Sequence, residues 1–339
     1  MKANRFKTVA VTVCLLLLIF CAPDAQSSAR EAVALCLEVL IPSLFPFFIC
    51  SVTLTGSLNG QTVRVLRPLE KLFRIPRGSV SLLLVGFLGG YPSGVQSIAQ
   101  ASAAGQLSRA ESRRMAAFCN NAGPAFLFGM VSPFFDCPAA PWVLWAIHII
   151  SAWLVSVVIP PRGGTFTPGD ISGEITLPEA LEKSLKITAS VCGWVILFRV
   201  GIGFLKPVIH TVIPLPLQVL LTGALELSNG CISLGDISCT GLRFVTASVL
   251  LAFGGVCVTM QTRSVCGDLS MDLYLPGKLL QTAFSFLLSL PLQVLLFPAS
   301  ERYAPASCVV AVPLALTAIG ISKLKSSEIK GSIPFPLGV

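Results

Sequence analysis

The chain has 339 residues, 54% of them hydrophobic and 12% charged, with a mean hydropathy of +0.81. Soluble domains carry about one charged residue in four, so this composition excludes a water-soluble globular protein and points to a polytopic membrane protein. The net charge of +8 is spread over short Lys and Arg clusters between apolar segments, the pattern of cytoplasmic loops rather than of a nucleic-acid-binding face.

Apolar runs that approach or reach the roughly 20 helical residues needed to cross a bilayer recur along the chain. They are Thr8 to Ala22, Ala32 to Gly56, Val80 to Ala104, Met115 to Ser132, Trp142 to Pro160, Ile187 to Leu205, Leu217 to Leu234, Phe244 to Gln261, Leu279 to Pro298 and Pro305 to Ser322. The first, behind basic Met1 to Lys7, reads either as a secretory signal or as a retained anchor helix. The 12 cysteines are scattered with no CxxC pair and read as small buried hydrophobes, so neither a metal site nor a cofactor is expected.

Loop charge then decides which segments cross. Arg64, Arg67, Lys71, Arg74 and Arg77 precede Val80 to Ala104, and Arg109, Arg113 and Arg114 follow it. With both flanks cytoplasmic, that segment must enter and return, turning at the polar stretch Gly89-Gly90-Tyr91-Pro92-Ser93-Gly94. Leu217 to Leu234 is broken at Glu226-Leu227-Ser228-Asn229-Gly230, and neither of its flanks carries Lys or Arg. It reads as a second re-entrant hairpin, entering from the opposite side.

The two hairpin segments belong to a faint repeat: Gly86 to Gly94 resembles Gly223 to Gly230, and Ala117 to Phe126 resembles Leu251 to Met260. Retained order with opposite sidedness predicts two inverted-topology repeats, with solute and coupling-ion sites at their interface. The expected fold is all-α: an anchor or signal-like segment over 1–31, a first membrane repeat over 32–161, a polar linker over 162–186, a second repeat over 187–322 and a cytoplasmic tail over 323–339.

Broken backbone inside a bilayer survives only where protein or a water-filled cavity satisfies it, so the breaks are the candidate solute site. Gly90, Tyr91, Pro92, Ser93 and Gly94 form the first turn, with Gln96 on the half-helix behind it. Such a half-helix aims its N-terminal N–H groups at the membrane centre, where an anion, particularly a carboxylate, is the expected guest. Asn120 and Asn121, before Gly123-Pro124, either bind solute or hold the first turn in place.

Arg199 and Glu226 are charges inside apolar segments and become functional candidates on that ground. Arg199 suits a carboxylate, while Glu226, with Ser228, Asn229 and Gly230, suits the solute or a coupling ion, either a proton or sodium. The structural alternatives are glycines that merely allow close packing and an Arg199 pair with Glu226 or Glu38 that fastens the repeats together. No HExxH motif occurs and His148 and His210 are isolated, so no catalytic residue is assigned and an enzyme is not expected.

The order Pro42-Ser43-Leu44-Phe45-Pro46-Phe47-Phe48, then Gly89 to Gly94, then Phe118-Cys119-Asn120-Asn121-Ala122-Gly123-Pro124-Ala125-Phe126 resembles the sporulation integral membrane proteins that carry a nucleoside-recognition, or Gate, domain. The later Glu226 to Gly230 and Ala252-Phe253-Gly254-Gly255 fit the same pattern, and the resemblance runs from about Ala32 to about Gln261. It implies a multi-pass protein of a bacterial cell membrane, in a membrane surrounding the developing forespore, that moves a small solute. Dipicolinate is the solute the resemblance implies, with a nucleoside as the alternative and a non-transporting scaffold of the spore envelope as the rival class. The partners expected are therefore a small anionic solute, the lipid bilayer and a coupling ion, with no nucleic acid; oligomeric state is left open.

Overall fold

The computed structural model describes residues 2–58, 64–167 and 175–298. The predicted segment Pro305 to Ser322 and the tail over 323–339 lie outside the described residues, as does part of the polar linker. Within them the chain is helical, and the only β pairing is an isolated bridge between Leu107 and Phe166.

Helix α1 (Lys2–Phe20) leads into α2 (Ala22–Leu35), which continues through a π-helical turn (Cys36–Leu40) into α3 (Ile41–Leu58). After α4 (Arg67–Leu72), two short helices follow, α5 (Val80–Leu88) and α6 (Ser93–Ala103), and then α7 (Arg109–Ala116). An irregular stretch separates α7 from α8 (Pro124–Phe126), which runs on through a π-helical turn (Leu127–Val131), and α9 (Ala140–Val158) follows. Helix α10 (Leu177–Val212) is long; α11 (Leu215–Leu225) and α12 (Leu227–Ile232) form a second short pair; α13 (Thr240–Phe253) and α14 (Gly255–Val265) are separated at Gly254; α15 (Tyr274–Leu296) ends the described chain.

Among the described residues, five stretches are long and apolar enough to cross a membrane: Ala22–Leu54, Ala140–Val158, Leu177–Pro207, Thr240–Val265 and Tyr274–Leu296. Large apolar side chains such as Leu197, Leu205, Ile150, Leu287 and Val294 are exposed on their outer faces, a burial pattern that water would penalise and lipid accepts. The chain is thus a multi-pass membrane protein in contact with the bilayer. The Thr240–Val265 stretch is central, with 83% of its most apolar window buried.

Several boundaries differ from the sequence reading, two of them by ten residues. The second segment starts ten residues earlier than Ala32, because α2 continues into the membrane helix without a break. Similarly, the polar residues before Ile187 are the first turns of α10, started by a capping box in which Thr176 and Glu179 satisfy each other's backbone N–H groups.

The short helix pairs are built alike, and small residues are the reason. In α5 and α6, a Cβ added at Gly94 would sit 3.0 Å from the Gly86 Cα, and Cβ atoms at Gly86 and Gly94 would lie 1.8 and 2.0 Å from the Cys119 carbonyl oxygen. The backbone after α7 therefore wedges against both helices where they have no side chain. In α11 and α12, a Cβ at Gly230 would meet the Gly223 Cα at 2.3 Å, and the Leu250 side chain of α13 fills the same wedge position.

Each pair is followed by a broken helix. The first break, after Ala116, carries Asn120 and Asn121; the second falls at Gly254, whose φ of +78° ends α13 in the left-handed conformation that glycine adopts without strain. At the basic end, Arg114 is fully buried and donates to Glu111 and to the carbonyls of Phe73, Arg74, Ser156 and Ile159. It ties α7 to α9 and to the chain after α4. Arg113 forks onto Asp272 ahead of α15, and the neighbouring carboxylate holds the Arg113 guanidinium above its usual pKa.

Candidate functional site

The turns of the two helix pairs meet. Gly89, Gly90 and Tyr91 from one, and from the other Glu226 with Leu227 and Ser228 at the start of α12, line a central cavity of about 40 Å³ walled by Val191 and Val195 of α10. The Tyr91 hydroxyl donates to the Leu251 carbonyl oxygen at 2.8 Å, so the first turn is hooked onto the last turn of α13. Glu226 is 2% exposed, and its carboxylate accepts the N–H groups of Ser228 at 3.0 Å and Asn229 at 2.8 Å.

Glu226 therefore caps α12 with its own charge, at the position where a solute anion would be drawn by a helix terminus. At the start of α6 the Val95 N–H points to Asn120 Oδ1 at 3.5 Å, a weak contact.

Two larger cavities flank the centre. One, of about 220 Å³, is lined by Ser93, Gln96, Ser97 and Gln100 of α6 and by Lys183 and Lys186 of α10. The other, of about 190 Å³, is lined by Arg199 and Lys206 of α10 with Gln218, Thr222 and Asn229 of α11 and α12. In the second, Arg199 donates to Glu31 of α2 at 2.7 Å, with Lys206 at 3.7 Å from the same oxygen. The sequence reading expected Glu226 or Glu38 as the structural partner of Arg199; the partner is Glu31, because α2 and α3 run beside α10 as one continuous element. Arg199 Nε and both amide atoms of Asn229 are buried without a hydrogen-bond partner.

Asn120 and Asn121 are 0% exposed and stand behind the first turn rather than on a cavity wall. Asn120 Nδ2 donates to Thr262 Oγ1 at 2.9 Å and to the Tyr274 hydroxyl at 3.0 Å. Asn121 Nδ2 donates to the Phe118 carbonyl at 2.7 Å, while its Oδ1 accepts from Gln281 Nε2 at 2.9 Å. The Ala122 N–H donates to His148 Nε2 at 3.0 Å, which assigns the neutral imidazole's proton to Nδ1. Lys278 completes the group: its Nζ is 2.8 Å from Gln281 Oε1 and 3.5 Å from Asn121 Oδ1, and lies 5.2 Å from the centre of the Tyr91 ring.

The residues singled out from sequence thus divide. Gly90, Tyr91, Glu226 and Ser228 meet at the central cavity; Ser93 and Gln96 face one outer cavity, and Arg199 and Asn229 face the other. Pro92 is buried in the turn, while Gly94 and Gly230 are packing contacts. Sequence reasoning missed Lys278, Gln281, Tyr274 and Thr262. The signal was present: Tyr274, Lys278, Gln281, Ser285 and Ser289 recur at steps of three or four, a polar stripe on one face of an otherwise apolar helix, and all five are buried.

The fold and its buried polar centre define a class, the polytopic α-helical integral membrane proteins. Within it, the chain is 26% identical over 313 residues, 78% of this chain and 76% of the relative, to the sporulation integral membrane protein YlbJ of Bacillus subtilis (strain 168). No family model matches the chain. No solved structure matches it.

Proposed function

We propose that this chain is a non-enzymatic transporter of a small organic anion, built from two inverted repeats whose helix pairs, α5 with α6 and α11 with α12, are re-entrant hairpins meeting at the membrane midplane. The observation that carries this reading is one face of α10. Lys183 and Ile187 line the first outer cavity, Val191 and Val195 the centre, and Arg199, Ile202, Lys206 and Ile209 the other outer cavity. These residues recur at steps of three or four, so a single helical stripe touches all three spaces. From Lys183 to Ile209 the stripe is about 39 Å long at 1.5 Å per residue, longer than a hydrocarbon core of about 30 Å.

A chain of cavities along one spanning helix, basic at both ends and narrow between the hairpin turns, is the layout of a gated anion path. The central 40 Å³ has room for a few waters but not for an aromatic dicarboxylate, so this conformation is closed at its middle. Opening requires the Tyr91 turn to leave the Leu251 carbonyl. The repeat is supported by the matching order of long helix, short pair, broken helix and spanning helix in the two halves, and by the matching Gly86 with Gly94 and Gly223 with Gly230 contacts. The non-enzymatic reading is supported by His148, whose Nε2 accepts the Ala122 N–H and cannot at the same time accept a proton from a serine.

Dipicolinate is the proposed solute. Four cations on the path suit two carboxylates, and a solute carboxylate would compete with Glu31 for Arg199. A relative described as a sporulation protein supports residence in a membrane surrounding the forespore. A nucleoside is the second reading, favoured by Asn229, whose unpartnered donor and acceptor suit a nucleobase edge.

Uptake of labelled dipicolinate and of a labelled nucleoside into proteoliposomes tests these readings. Saturable dipicolinate flux that falls at least tenfold in Arg199→Gln is expected. Nucleoside flux alone would favour the second reading, and no flux of either from folded protein would favour a scaffold.

A further inference from the structure

Lys278 is 1% exposed, and none of the ion pairs among the described residues includes it. An ammonium is strongly hydrated, and burying one without a counter-charge is costly, so its surroundings must replace water. They do so with neutral groups: the Gln281 side-chain oxygen at 2.8 Å, the Asn121 side-chain oxygen in a weaker contact at 3.5 Å, and the face of the Tyr91 ring. The other titratable groups facing it are Cys119 from the break after α7, His148 from α9 and Tyr274 one turn back on α15. None of these supplies a fixed negative charge as a carboxylate would.

Neutral oxygens at a helix break bind monovalent cations in membrane proteins, and an aromatic face adds to the attraction; in this chain the oxygens are side-chain amides, Asn121 from the break and Gln281 from the continuous α15. Here the cation is covalently attached. We propose that Lys278 is a tethered cation whose ammonium fills the place of a coupling sodium ion at the break between Ala116 and Pro124, so that solute flux through this chain needs no sodium. The inference rests on the transporter reading for flux, but the site itself is a property of the folded protein.

The same placement ties the cation to movement. Tyr91, whose ring lies over the ammonium, is the residue hooked to Leu251, and Asn121 belongs to the break that supports the first turn. A cation at this point holds the Tyr91 turn, the break and α15 together.

The test compares sodium, methylammonium and choline as the sole monovalent cation, with purified chain in detergent for thermal unfolding and in proteoliposomes for dipicolinate flux. Wild-type unfolding temperature and flux should be the same in all three. Lys278→Ala removes the ammonium and leaves the oxygens, so sodium or methylammonium should raise its unfolding temperature by several degrees over choline and restore at least tenfold of its lost flux. Lys278→Met fills the space without charge, and should show low flux and no response to any of the cations.

A wild type that is stabilised or driven by sodium would overturn the proposal. A Lys278→Ala protein indifferent to all three cations would do so as well. If Lys278→Ala yields no folded protein in any of them, wild-type flux from Lys278→Met would count against the tethered cation. Should the wild type carry no solute at all, the transport reading fails while the cation dependence of unfolding still decides the site.

Discussion

Arg114 spends its whole guanidinium inside the protein, on four backbone carbonyls and on Glu111, which itself is 1% exposed and also accepts the Arg162 N–H. Removing one partner of a buried ion pair leaves the other charge uncompensated, at a cost of about 3–5 kcal/mol. Arg114→Met should therefore lower the unfolding temperature sharply and reduce the folded yield, read by size-exclusion chromatography in detergent. Arg114→Lys should not restore it, because an ammonium cannot reproduce the planar fork. Arg113, a third exposed with an equally exposed Asp272, should cost within about 1 kcal/mol on truncation. From sequence the two arginines look identical, as adjacent loop charges; what separates them is which face of α7 packs against α9, and that depends on partners far along the chain.

At the scale of elements, the helix pairs rest on glycines that no side chain can replace. Gly86→Ala and Gly94→Ala would push a Cβ into the Cys119 carbonyl, a backbone atom that cannot rotate away, and both should abolish monodisperse protein. Gly193→Ala and Gly201→Ala on α10 meet nothing within 4 Å, and should be tolerated or stabilise by about 0.5–1 kcal/mol. Gly223→Ala meets the end of the Leu250 side chain first, at 2.6 Å, and the Gly230 Cα at 3.1 Å, whereas Gly230→Ala meets the Gly223 Cα at 2.3 Å, so Gly230 should be the less tolerant of the two. The same folded-yield assay ranks all six.

Much of this scale was legible in the sequence. Gly89 to Gly94 and Glu226 to Gly230 are polar interruptions of apolar runs, and each holds a junction between short helices; the first junction is Gly89 to Pro92, whereas the second is Glu226 alone, with Leu227 to Gly230 already inside α12. Less legible was where apolar segments end, because a window of hydropathy stops at the first charge even when the helix does not. That rule placed Lys278 at the edge of a span and Glu31 ahead of one, and so hid the cation behind Tyr91 and the carboxylate on Arg199. Asn120 and Asn121 were recognisable as important but not as Thr262, Tyr274 and Gln281 partners, since those contacts join positions 142 to 160 residues apart.

At the scale of the molecule, the hairpin reading has a topological consequence. Cysteines introduced at Val65 and Ala104, on either side of the first helix pair, should react with a membrane-impermeant maleimide from the same face in a background lacking the 12 native cysteines. A cysteine at Ala139, beyond the broken helix, should react from the opposite face. Labelling of Val65 and Ala104 from opposite faces would make α5 and α6 a crossing segment and remove the first hairpin.

The path along α10 is the central claim, and a cysteine scan from Lys183 to Ile209 in proteoliposomes measures it directly. Reactivity with a small hydrophilic thiol reagent should rise at Lys183, Ile187, Arg199, Ile202 and Lys206, stay low at lipid-facing Leu185, Leu197 and Leu205, and fall on the stripe when dipicolinate is added. Reactivity without helical period, or a stripe that dipicolinate leaves unprotected while the protein is folded, would contradict it.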